Sequence, residues 1–158
     1  KSAYGFSKFA SEKICETFHS NFINIRLYNV FGEGQSLESG AVIPKFIKAS
    51  MNGHKPVIYG DGRQVRDFTY VGDVVEEIKR IGLGKMNGLF HLGYKRPTTV
   101  YSILQLIYGY PMDVDYQPER AGDIRESISP IKMANVKYGR YEGLKRTMAW
   151  WKEQNVKV

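Results

Sequence analysis

Near the amino terminus, a tyrosine and a lysine stand four residues apart, Tyr4 and Lys8. Ser2 is placed to cap a helix there, and residues i and i+4 of a helix share one face, so the phenol and the ammonium become neighbours. A free tyrosine has a pKa of ~10, and a nearby positive charge lowers that pKa toward the range useful for a general base. The pair is therefore a candidate acid/base site, although ordinary surface residues also occur at this spacing.

Asn29 follows a predicted strand and is a second candidate. In open α/β sheets, ligands bind outside the carboxyl ends of the strands, where a side-chain amide can donate to a phosphate oxygen. An asparagine at such a point also caps its own turn readily. Asn29 itself fits both interpretations, a phosphate contact and a cap of its own turn.

A turn bordered by glycines at residues 60–62 is followed closely by three donor side chains, Arg63, Gln64 and Arg66. A guanidinium matches the geometry of a phosphate in a bidentate way, so this stretch is a candidate anion site. The alternative is a polar hairpin in which Arg66 pairs with Asp67 at the surface, where such pairs contribute little to stability.

Arg120 and Asp123 form a third candidate pair near the carboxyl-terminal end. The arginine offers a second phosphate-binding guanidinium, and the carboxylate can accept hydrogen bonds from ribose hydroxyls. On these four residues alone, a short surface turn is the favoured interpretation.

Histidine and cysteine give no indication of a metal site. The three histidines, His19, His54 and His91, fit no metal-ligand spacing, and with a single cysteine no metal site is predicted. That cysteine, Cys15, has no partner for an internal disulfide, which indicates a reducing, cytoplasmic environment.

Length and charge narrow the class of protein. The chain has 158 residues, of which 42% are hydrophobic, so it can bury a core as one domain or as part of a larger one. No apolar run approaches the roughly 20 residues that cross a bilayer, so no membrane association is expected. The net charge of +7 favours anionic partners. Nucleic acid is one candidate, although the positive charges are dispersed and no nucleic-acid motif is present. A phosphorylated small molecule fits the charge equally well, so charge alone does not decide between the two.

Hydrophobic periodicity predicts strands that alternate with helices, which is typical of α/β architecture. The first helix carries an apolar stripe of Phe6, Phe9, Ile14 and Phe18. The third helix is expected to begin at a capping Asp73 and to bury Val74, Val75, Ile78 and Ile81. The predicted strands are 23–31, 57–59, 89–92 and 114–116, and the other helices begin near Ile43, at Thr98 or Thr99, and at Glu142.

Taken in order, residues 4–12, 26–32, 40–47, 56–73 and 120–123 resemble the carboxyl-terminal half of the extended short-chain dehydrogenases/reductases. The resemblance is strongest to the UDP-glucose 4-epimerases and to their dTDP-glucose 4,6-dehydratase relatives. It implies an NAD-dependent enzyme that acts on a nucleotide diphosphate sugar, most readily a UDP-sugar. The five matching segments stand in the family's order and span most of the chain, from residue 4 to residue 123.

The resemblance implies a role for each candidate. Tyr4 would exchange a proton with the sugar hydroxyl, Lys8 would bind the nicotinamide ribose and lower the pKa of the tyrosine, and Leu27 would contact NAD. The remaining positions match substrate contacts: Asn29, Arg66 and Arg120 at the diphosphate, Val42 and Tyr59 around the base, and Asp123 at the ribose. Gln64 joins this set as a donor next to Arg66.

The resemblance also predicts how the chain is organised. Residues 1–31 would be a remnant of the Rossmann domain, and residues 32–158 mainly a small substrate-binding lobe, with about 65–92 returning to the Rossmann side. The family's glycine-rich turn and its catalytic Ser or Thr do not occur in this sequence. We therefore expect a fragment that is inactive alone and whose first helix exposes its apolar stripe or buries it against a second copy, in a homodimer.

Two other functions fit the same residues. A 4,6-dehydratase or a related reductase would use the same substrate-binding groups as an epimerase. The chain could instead be a module that binds nucleotide sugars without catalysis and never had a Rossmann half.

Overall fold

The computed structural model describes residues 2–18, 20–110 and 113–155, so His19 lies outside the described residues. Helices alternate with strands along the chain, which confirms the predicted α/β class. The helices are α1 Ala3–Phe18, α2 Val42–Met51, α3 Val71–Leu83, α4 Val100–Tyr108 and α5 Gly139–Asn155. The strands are β1 Ile23–Leu27, β2 Val30–Phe31, β3 Val57–Tyr59, β4 Val65–Arg66, β5 Thr69–Tyr70, β6 Gly88–Leu92, β7 Thr98–Thr99, β8 Asp115–Gln117 and β9 Glu126–Ser127.

Parallel pairing prevails among these strands. β1 pairs with β6, β2 with β5, and β3 with β8, all in parallel. β4 lies between β7, to which it is antiparallel, and β9, to which it is parallel. Since parallel partners require long crossover connections, each parallel pair joins segments that are distant in the sequence.

The first helix begins as predicted and leaves its apolar stripe open. The hydroxyl of Ser2 accepts a hydrogen bond from the backbone N–H of Gly5 at 3.1 Å, which caps the helix. The stripe of aromatic and aliphatic side chains is exposed by half or more, as expected: Phe6 by 74%, Phe9 by 50%, Ile14 by 57% and Phe18 by 74%. Within the described residues, this face of α1 has no packing partner that buries it.

The strand predicted over residues 23–31 is in fact interrupted. Asn29 has a φ of 38°, in the left-handed region that asparagine tolerates better than most residues. The chain therefore turns after β1, and β2 pairs with β5 instead of extending the β1–β6 ladder. The interruption places Asn29 at the carboxyl end of β1.

A hydrophobic core forms where α2 and α4 meet the strands. Ile43, Phe46 and Ile47 of α2 and Ile103 and Leu104 of α4 are all at most 2% exposed. The i, i+3, i+4 spacing of the three α2 residues gives that helix one apolar face, and in α4 the buried Ile107 completes the same face four residues after Ile103. The helix α4 begins one residue after the predicted start, and Thr99 caps it, because its hydroxyl accepts from the backbone N–H of Ser102 at 3.0 Å.

The buried face of α3 differs from the prediction. Val75 and Ile78 are 46% and 40% exposed, whereas Asp73 and Glu77 are buried beside Val74 and Ile81. Asp73 does not cap the helix, which begins after Tyr70. Its carboxylate instead accepts three backbone N–H bonds, each 2.8 Å long, from residues 137–139. The carboxylate is stable in the interior because it is fully hydrogen-bonded there.

Two element boundaries also differ by a few residues. The last helix begins at Gly139, three residues before Glu142, and β8 covers Asp115–Gln117, one residue beyond the predicted range. Among the helices of the described residues, none has the length and apolar character needed to cross a bilayer.

Candidate functional site

Tyr4, Lys8 and Leu27 line one open cavity of about 590 Å³ between α1 and β1. The ammonium nitrogen of Lys8 lies 5.6 Å from the centre of the Tyr4 ring, so the helical spacing does make these two side chains neighbours. Tyr4 is 72% exposed, and its ring is accessible to a ligand. This first cavity therefore combines a phenol, an ammonium and an apolar wall.

A bidentate ion pair attaches α1 to β1 beside this cavity. Arg26 of β1 donates to both carboxylate oxygens of Glu12, at 2.8 and 2.6 Å. The hydrogen bond from Arg26 lowers the pKa of Glu12, which keeps the carboxylate ionised. The pair fixes the helix that carries Tyr4 and Lys8 against the strand that carries Leu27.

Tyr28 and His91 form a further polar pair next to the first cavity, which Tyr28 lines. The Tyr28 hydroxyl lies 2.7 Å from Nδ1 of His91, and the two rings stack with their centres 5.9 Å apart. Burial raises the pKa of Tyr28 and lowers the pKa of His91, so both side chains are neutral near pH 7. The two residues are 63 positions apart in the sequence and carry no local signal, because the parallel pairing of β1 with β6 brings them together.

A second cavity of about 210 Å³ collects every candidate substrate-binding residue. These residues come from β1's carboxyl end, from α2, from the stretch 59–66 and from the coil between β8 and β9. They are Asn29, Val42, Tyr59, Gln64, Arg66, Arg120 and Asp123. Arg63, whose donor was also considered, does not line this cavity.

The turn at residues 60–62 positions Gln64 and Arg66. Gly60 and Gly62 have φ values of 74° and 72°, which favour glycine. A Cβ on Gly60 would lie 3.1 Å from the side-chain nitrogen of Gln64, so a larger residue would press on that amide. Asp61 tightens the turn by accepting from the backbone N–H of Arg63 at 2.9 Å.

Arg66 is held at the edge of the second cavity by an ion pair. Its Nη2 donates to Oδ1 of Asp123 at 2.8 Å, and its Nη1 donates to the carbonyl of Val65 at 2.9 Å. Both side chains of the pair are mostly buried. Arg66 therefore pairs with Asp123 across the cavity and not with the adjacent Asp67 of the hairpin alternative.

Arg120 stacks its guanidinium on Tyr59, with the central carbon 3.8 Å from the ring centre. This cation–π contact orients the guanidinium along the wall of the second cavity. The coil that carries Arg120 and Asp123 is tied to the turn 60–62 by a bidentate ion pair from Arg125 to Asp61, at 3.2 and 3.0 Å.

Lys45 of α2 also lines the second cavity and was missed. It stands one helical turn after Val42, on the same face of the helix, and this i+3 relation is the signal that could have identified it. With Arg66 and Arg120 it makes three cations against the single carboxylate of Asp123 among the lining residues. The wall of the second cavity thus carries a formal charge of +2 and suits a dianion.

Consecutive residues at the carboxyl end of β1 line the two cavities. Leu27 and Tyr28 line the first cavity, and the next residue, Asn29, lines the second. A ligand that occupies both would extend past the point where open α/β sheets bind their ligands. Within the described ranges, no cluster of three or more His, Cys, Asp or Glu residues could hold a metal ion.

A sequence model described as the NAD dependent epimerase/dehydratase family matches residues 1–83. Over 98% of its length, the chain is 30% identical to a Methanocaldococcus jannaschii protein provisionally named UDP-glucose 4-epimerase, and it covers 54% of that relative. It is 26% identical, over 96% of its length, to UDP-N-acetyl-alpha-D-glucosaminuronate decarboxylase from Bacillus cytotoxicus, of which it covers 53%. The chain thus spans about half the length of these curated relatives.

A solved structure with a similar fold is UDP-N-acetylglucosamine 4-epimerase from Methanobrevibacter ruminantium M1, in complex with UDP-N-acetylmuramic acid. The TM-score is 0.81 at 32% sequence identity, over 95% of this chain and 52% of that one.

Proposed function

The chain belongs to the NAD-dependent epimerase/dehydratase family, and on this premise we propose that it supplies the substrate site and the acid/base tyrosine of a nucleotide-sugar 4-epimerase. The observation that carries the proposal is the convergence of seven predicted residues on one cavity, whose lining residue Asn29 directly follows Leu27 and Tyr28 of the Tyr4 and Lys8 cavity. The similarity to the two epimerases described above supports the 4-epimerase reaction.

In this proposal the second cavity binds the diphosphate of a UDP-sugar. Arg66, Arg120 and Lys45 supply the cations, and the amide of Asn29 donates to a phosphate oxygen. The formal charge of +2 on the cavity wall matches the two negative charges of a nucleoside diphosphate sugar. Because Asp123 already pairs with Arg66, its carboxylate does not repel the phosphates as a free charge would.

The nucleoside would lie at the other end of this cavity, against Val42 and Tyr59. Tyr59 presents an aromatic ring that Arg120 covers on one side, and Val42 adds an aliphatic surface. An aromatic base contacts such surfaces favourably. The sugar, at the far end of the diphosphate, would then extend into the first cavity.

Tyr4 would act there as the acid/base group on the sugar hydroxyl, with Lys8 as its electrostatic partner. The residues of the first cavity fit the nicotinamide end of NAD, because an exposed ammonium donor, an accessible phenol and the apolar Leu27 share one open wall. When bound, NAD supplies the hydride acceptor for the sugar carbon. Lys8 would hold the nicotinamide ribose, while Tyr4 exchanges the hydroxyl proton.

The domain assignment remains part of the proposal. The parallel pairing of β1 with β6 supports a shared origin of residues 1–31 and of the stretch 65–92 in a Rossmann sheet. The exposed stripe of α1 would be covered in the working enzyme, by a second copy in a homodimer or by residues of the nucleotide-binding half. The sequence contains no glycine-rich turn for the adenine end of NAD, so we expect these 158 residues alone to be inactive.

Decarboxylation is a second candidate reaction, because the chain is 26% identical to UDP-N-acetyl-alpha-D-glucosaminuronate decarboxylase. A dehydratase or a reductase is a third. All three reactions would use the same nucleotide contacts. They are distinguished by the sugar compound that the protein containing this chain forms from its substrate. A binding module without catalysis would retain UDP affinity and give no product with NAD.

The direct test is titration of the 158-residue chain with UDP by calorimetry. We expect one UDP per chain, with an affinity that falls as salt is raised, since the contacts are largely ionic. Lys45→Gln should weaken binding, whereas Lys48→Gln, on the same helix but not on the cavity wall, should not. A folded chain that binds no UDP at millimolar concentration would contradict the proposal.

A further inference from the structure

The polar pair of Tyr28 and His91 lies on the side of the β1–β6 ladder that faces α1. His91 is the register partner of Arg26, and side chains of register partners lie on the same face of a sheet. Arg26 identifies that face, because it binds Glu12 of α1. The Tyr28 hydroxyl lies 2.7 Å from Nδ1 of His91, so Tyr28 lies on this face too, where it lines the first cavity.

Tyr28 lies opposite Lys8 across the first cavity. The carboxylate of Glu12 binds Arg26, whereas the backbone carbonyl of Glu12 accepts from the side chain of Asn24 at 3.3 Å. Helical side chains tilt toward the amino terminus and carbonyls point toward the carboxyl terminus, so β1 runs toward the amino terminus of α1. Two residues along a strand and four along a helix each advance by about 6 Å. One such step beyond the ion pair, Tyr28 of the strand side faces Lys8 of the helix, and both line the cavity.

The direction of the hydrogen bond between Tyr28 and His91 determines what Tyr28 presents to the cavity. Burial raises the pKa of Tyr28 and lowers the pKa of His91, so both are neutral near pH 7. In a neutral pair the phenol donates to the bare imidazole nitrogen, because the phenol is the stronger acid. The Tyr28 oxygen then keeps its lone pairs for a donor in the cavity. A proton on Nδ1 reverses the bond, since an imidazolium only donates, and the phenol proton turns away from His91.

We infer that His91 is a positioning residue for Lys8 and acts through Tyr28. With neutral His91, the Tyr28 oxygen is an acceptor opposite the ammonium of Lys8 and orients that ammonium toward a ligand in the first cavity. With protonated His91, a hydroxyl proton and a second cation oppose the ammonium. The inference rests on the proposed function, because it takes this ligand to be the nicotinamide end of NAD, which Lys8 would hold.

The charged groups around His91 keep their state between pH 8 and pH 5. Arg26, beside it on β1, is a permanent cation, and its hydrogen bond lowers the pKa of Glu12, which stays ionised. Tyr28 stays neutral because its pKa is raised. Asp67, whose charge also acts on Tyr28, is fully buried and accepts backbone N–H bonds. A change in NAD affinity in this range therefore reports the proton on His91.

NAD titrations at pH 8 and pH 5, on the protein that contains this chain, test the inference. The pKa of His91 lies below its ordinary value of 6.5, so NAD affinity should fall several-fold as the pH decreases through that pKa. His91→Asn keeps an acceptor near the position of Nδ1 but does not titrate, so NAD affinity should stay near the wild-type value of pH 8 at both pH values. His91→Leu offers no acceptor and should bind NAD several-fold more weakly at both.

Two further variants control for general effects. His54→Asn removes an imidazole from an exposed loop that lines neither cavity, so the wild-type pH dependence should persist. Tyr28→Phe keeps the ring that stacks on His91 and removes only the hydroxyl, so the pH dependence should disappear. Because this change is nearly isosteric, it decides the question even if His91→Leu does not fold.

NMR titration of His91 in the 158-residue chain provides a readout that does not need NAD. Tyr28→Phe removes the donor that favours the neutral imidazole and retains the burial by the ring, so the pKa of His91 should rise. An unchanged pKa of His91 in this variant would refute the hydrogen bond on which the inference depends.

The outcomes separate the inference from the function on which it rests. A wild-type protein that binds no NAD at pH 8 would remove the proposed function. NAD affinity that is equal at both pH values, or that keeps its pH dependence in His91→Asn, would overturn the positioning role alone. Equal NAD affinity of His91→Asn and His91→Leu at pH 8 would show that the acceptor is not needed and would overturn it as well.

Discussion

The carboxylate of Asp61 accepts two hydrogen bonds from the guanidinium of Arg125, at 3.2 and 3.0 Å, across 64 residues of sequence. The pair joins the turn 60–62 to the coil that carries Arg120 and Asp123. Neither residue lines the second cavity. This ion pair would therefore affect ligand binding in the second cavity only indirectly, by holding the coil in position.

We predict that Asp61→Asn weakens UDP binding several-fold, because the coil is then free to move away from Gln64 and Arg66. Both side chains are about half exposed, so the free energy of unfolding should change little. The exchanged pair Asp61→Arg with Arg125→Asp should restore part of the affinity. Calorimetry and thermal unfolding of these two variants and of the wild type separate positioning from stability, and wild-type affinity in Asp61→Asn would refute the idea.

Arg66 is predicted to provide the largest single contact to the diphosphate. Charge-assisted hydrogen bonds of this kind contribute ~1.5–3 kcal/mol, so Arg66→Ala should weaken UDP binding by roughly tenfold or more. Removing the guanidinium also leaves Asp123 as an unpaired carboxylate beside the phosphates. Calorimetry measures the loss directly.

Arg63→Ala is the control for this change. Arg63 lies three residues earlier, carries the same charge and does not line the second cavity. Its removal should leave UDP affinity within about twofold, since only long-range electrostatics is altered. An equal loss in both variants would show that net charge, and not the position of Arg66, determines affinity.

The features that could be predicted from the sequence are those that depend on residues close together in it. Helical spacing placed Tyr4 beside Lys8, and turn chemistry placed Gln64 and Arg66 behind residues 60–62, because both depend on neighbours in sequence. The approach of Arg120 and Asp123 to that turn depends on tertiary contacts, and the family resemblance, not periodicity, indicated it.

The errors have the same origin. On α3, apolarity predicted burial of Val75 and Ile78, but the helix turns Asp73 and Glu77 inward because distant backbone N–H groups satisfy their carboxylates. The break at Asn29 did leave a signal in the sequence, since a polar residue stands there at an apolar position of the alternating pattern, and its φ is positive.

Glu77 predicts how stability depends on pH. Its carboxylate accepts two hydrogen bonds from Arg80, at 3.0 and 2.7 Å, and these lower its pKa below the ordinary value of 4.5. A group whose pKa is lower in the folded state stabilises the fold above its unfolded pKa and loses that contribution as pH falls through the folded pKa. Stability should therefore decline below about pH 4.5.

Glu77→Gln should lower the free energy of unfolding at pH 7 by about 1–3 kcal/mol and should flatten this acid decline. Glu76→Gln is the control, because Glu76 is exposed and pairs only with Lys79 at the surface. Urea unfolding at pH 7, 5 and 4 measures both variants. An acid decline in Glu77→Gln as steep as in the wild type would assign the effect to other carboxylates.

Lys8 is predicted to serve both the tyrosine and the cofactor. In the gene product that contains this chain, Lys8→Met keeps an apolar stem on the helix but removes the ammonium 5.6 Å from the Tyr4 ring. We expect slower turnover together with weaker NAD binding, because one charge supports both. Kinetics at saturating NAD, together with an NAD titration, distinguish the two losses, and a change in neither would exclude Lys8 from the site.

Tyr4 is predicted to be the acid/base group itself. Tyr4→Phe keeps the exposed ring and removes only the hydroxyl, so folding and nucleotide-sugar affinity should stay unchanged. A positioned acid/base group contributes ~10²–10⁴-fold, and turnover of the NAD-supplied gene product should fall by that factor. Tyr116→Phe is the control, since Tyr116 is 54% exposed on β8 and lines neither cavity. Turnover that survives in Tyr4→Phe as it does in Tyr116→Phe would place the proton transfer on another residue.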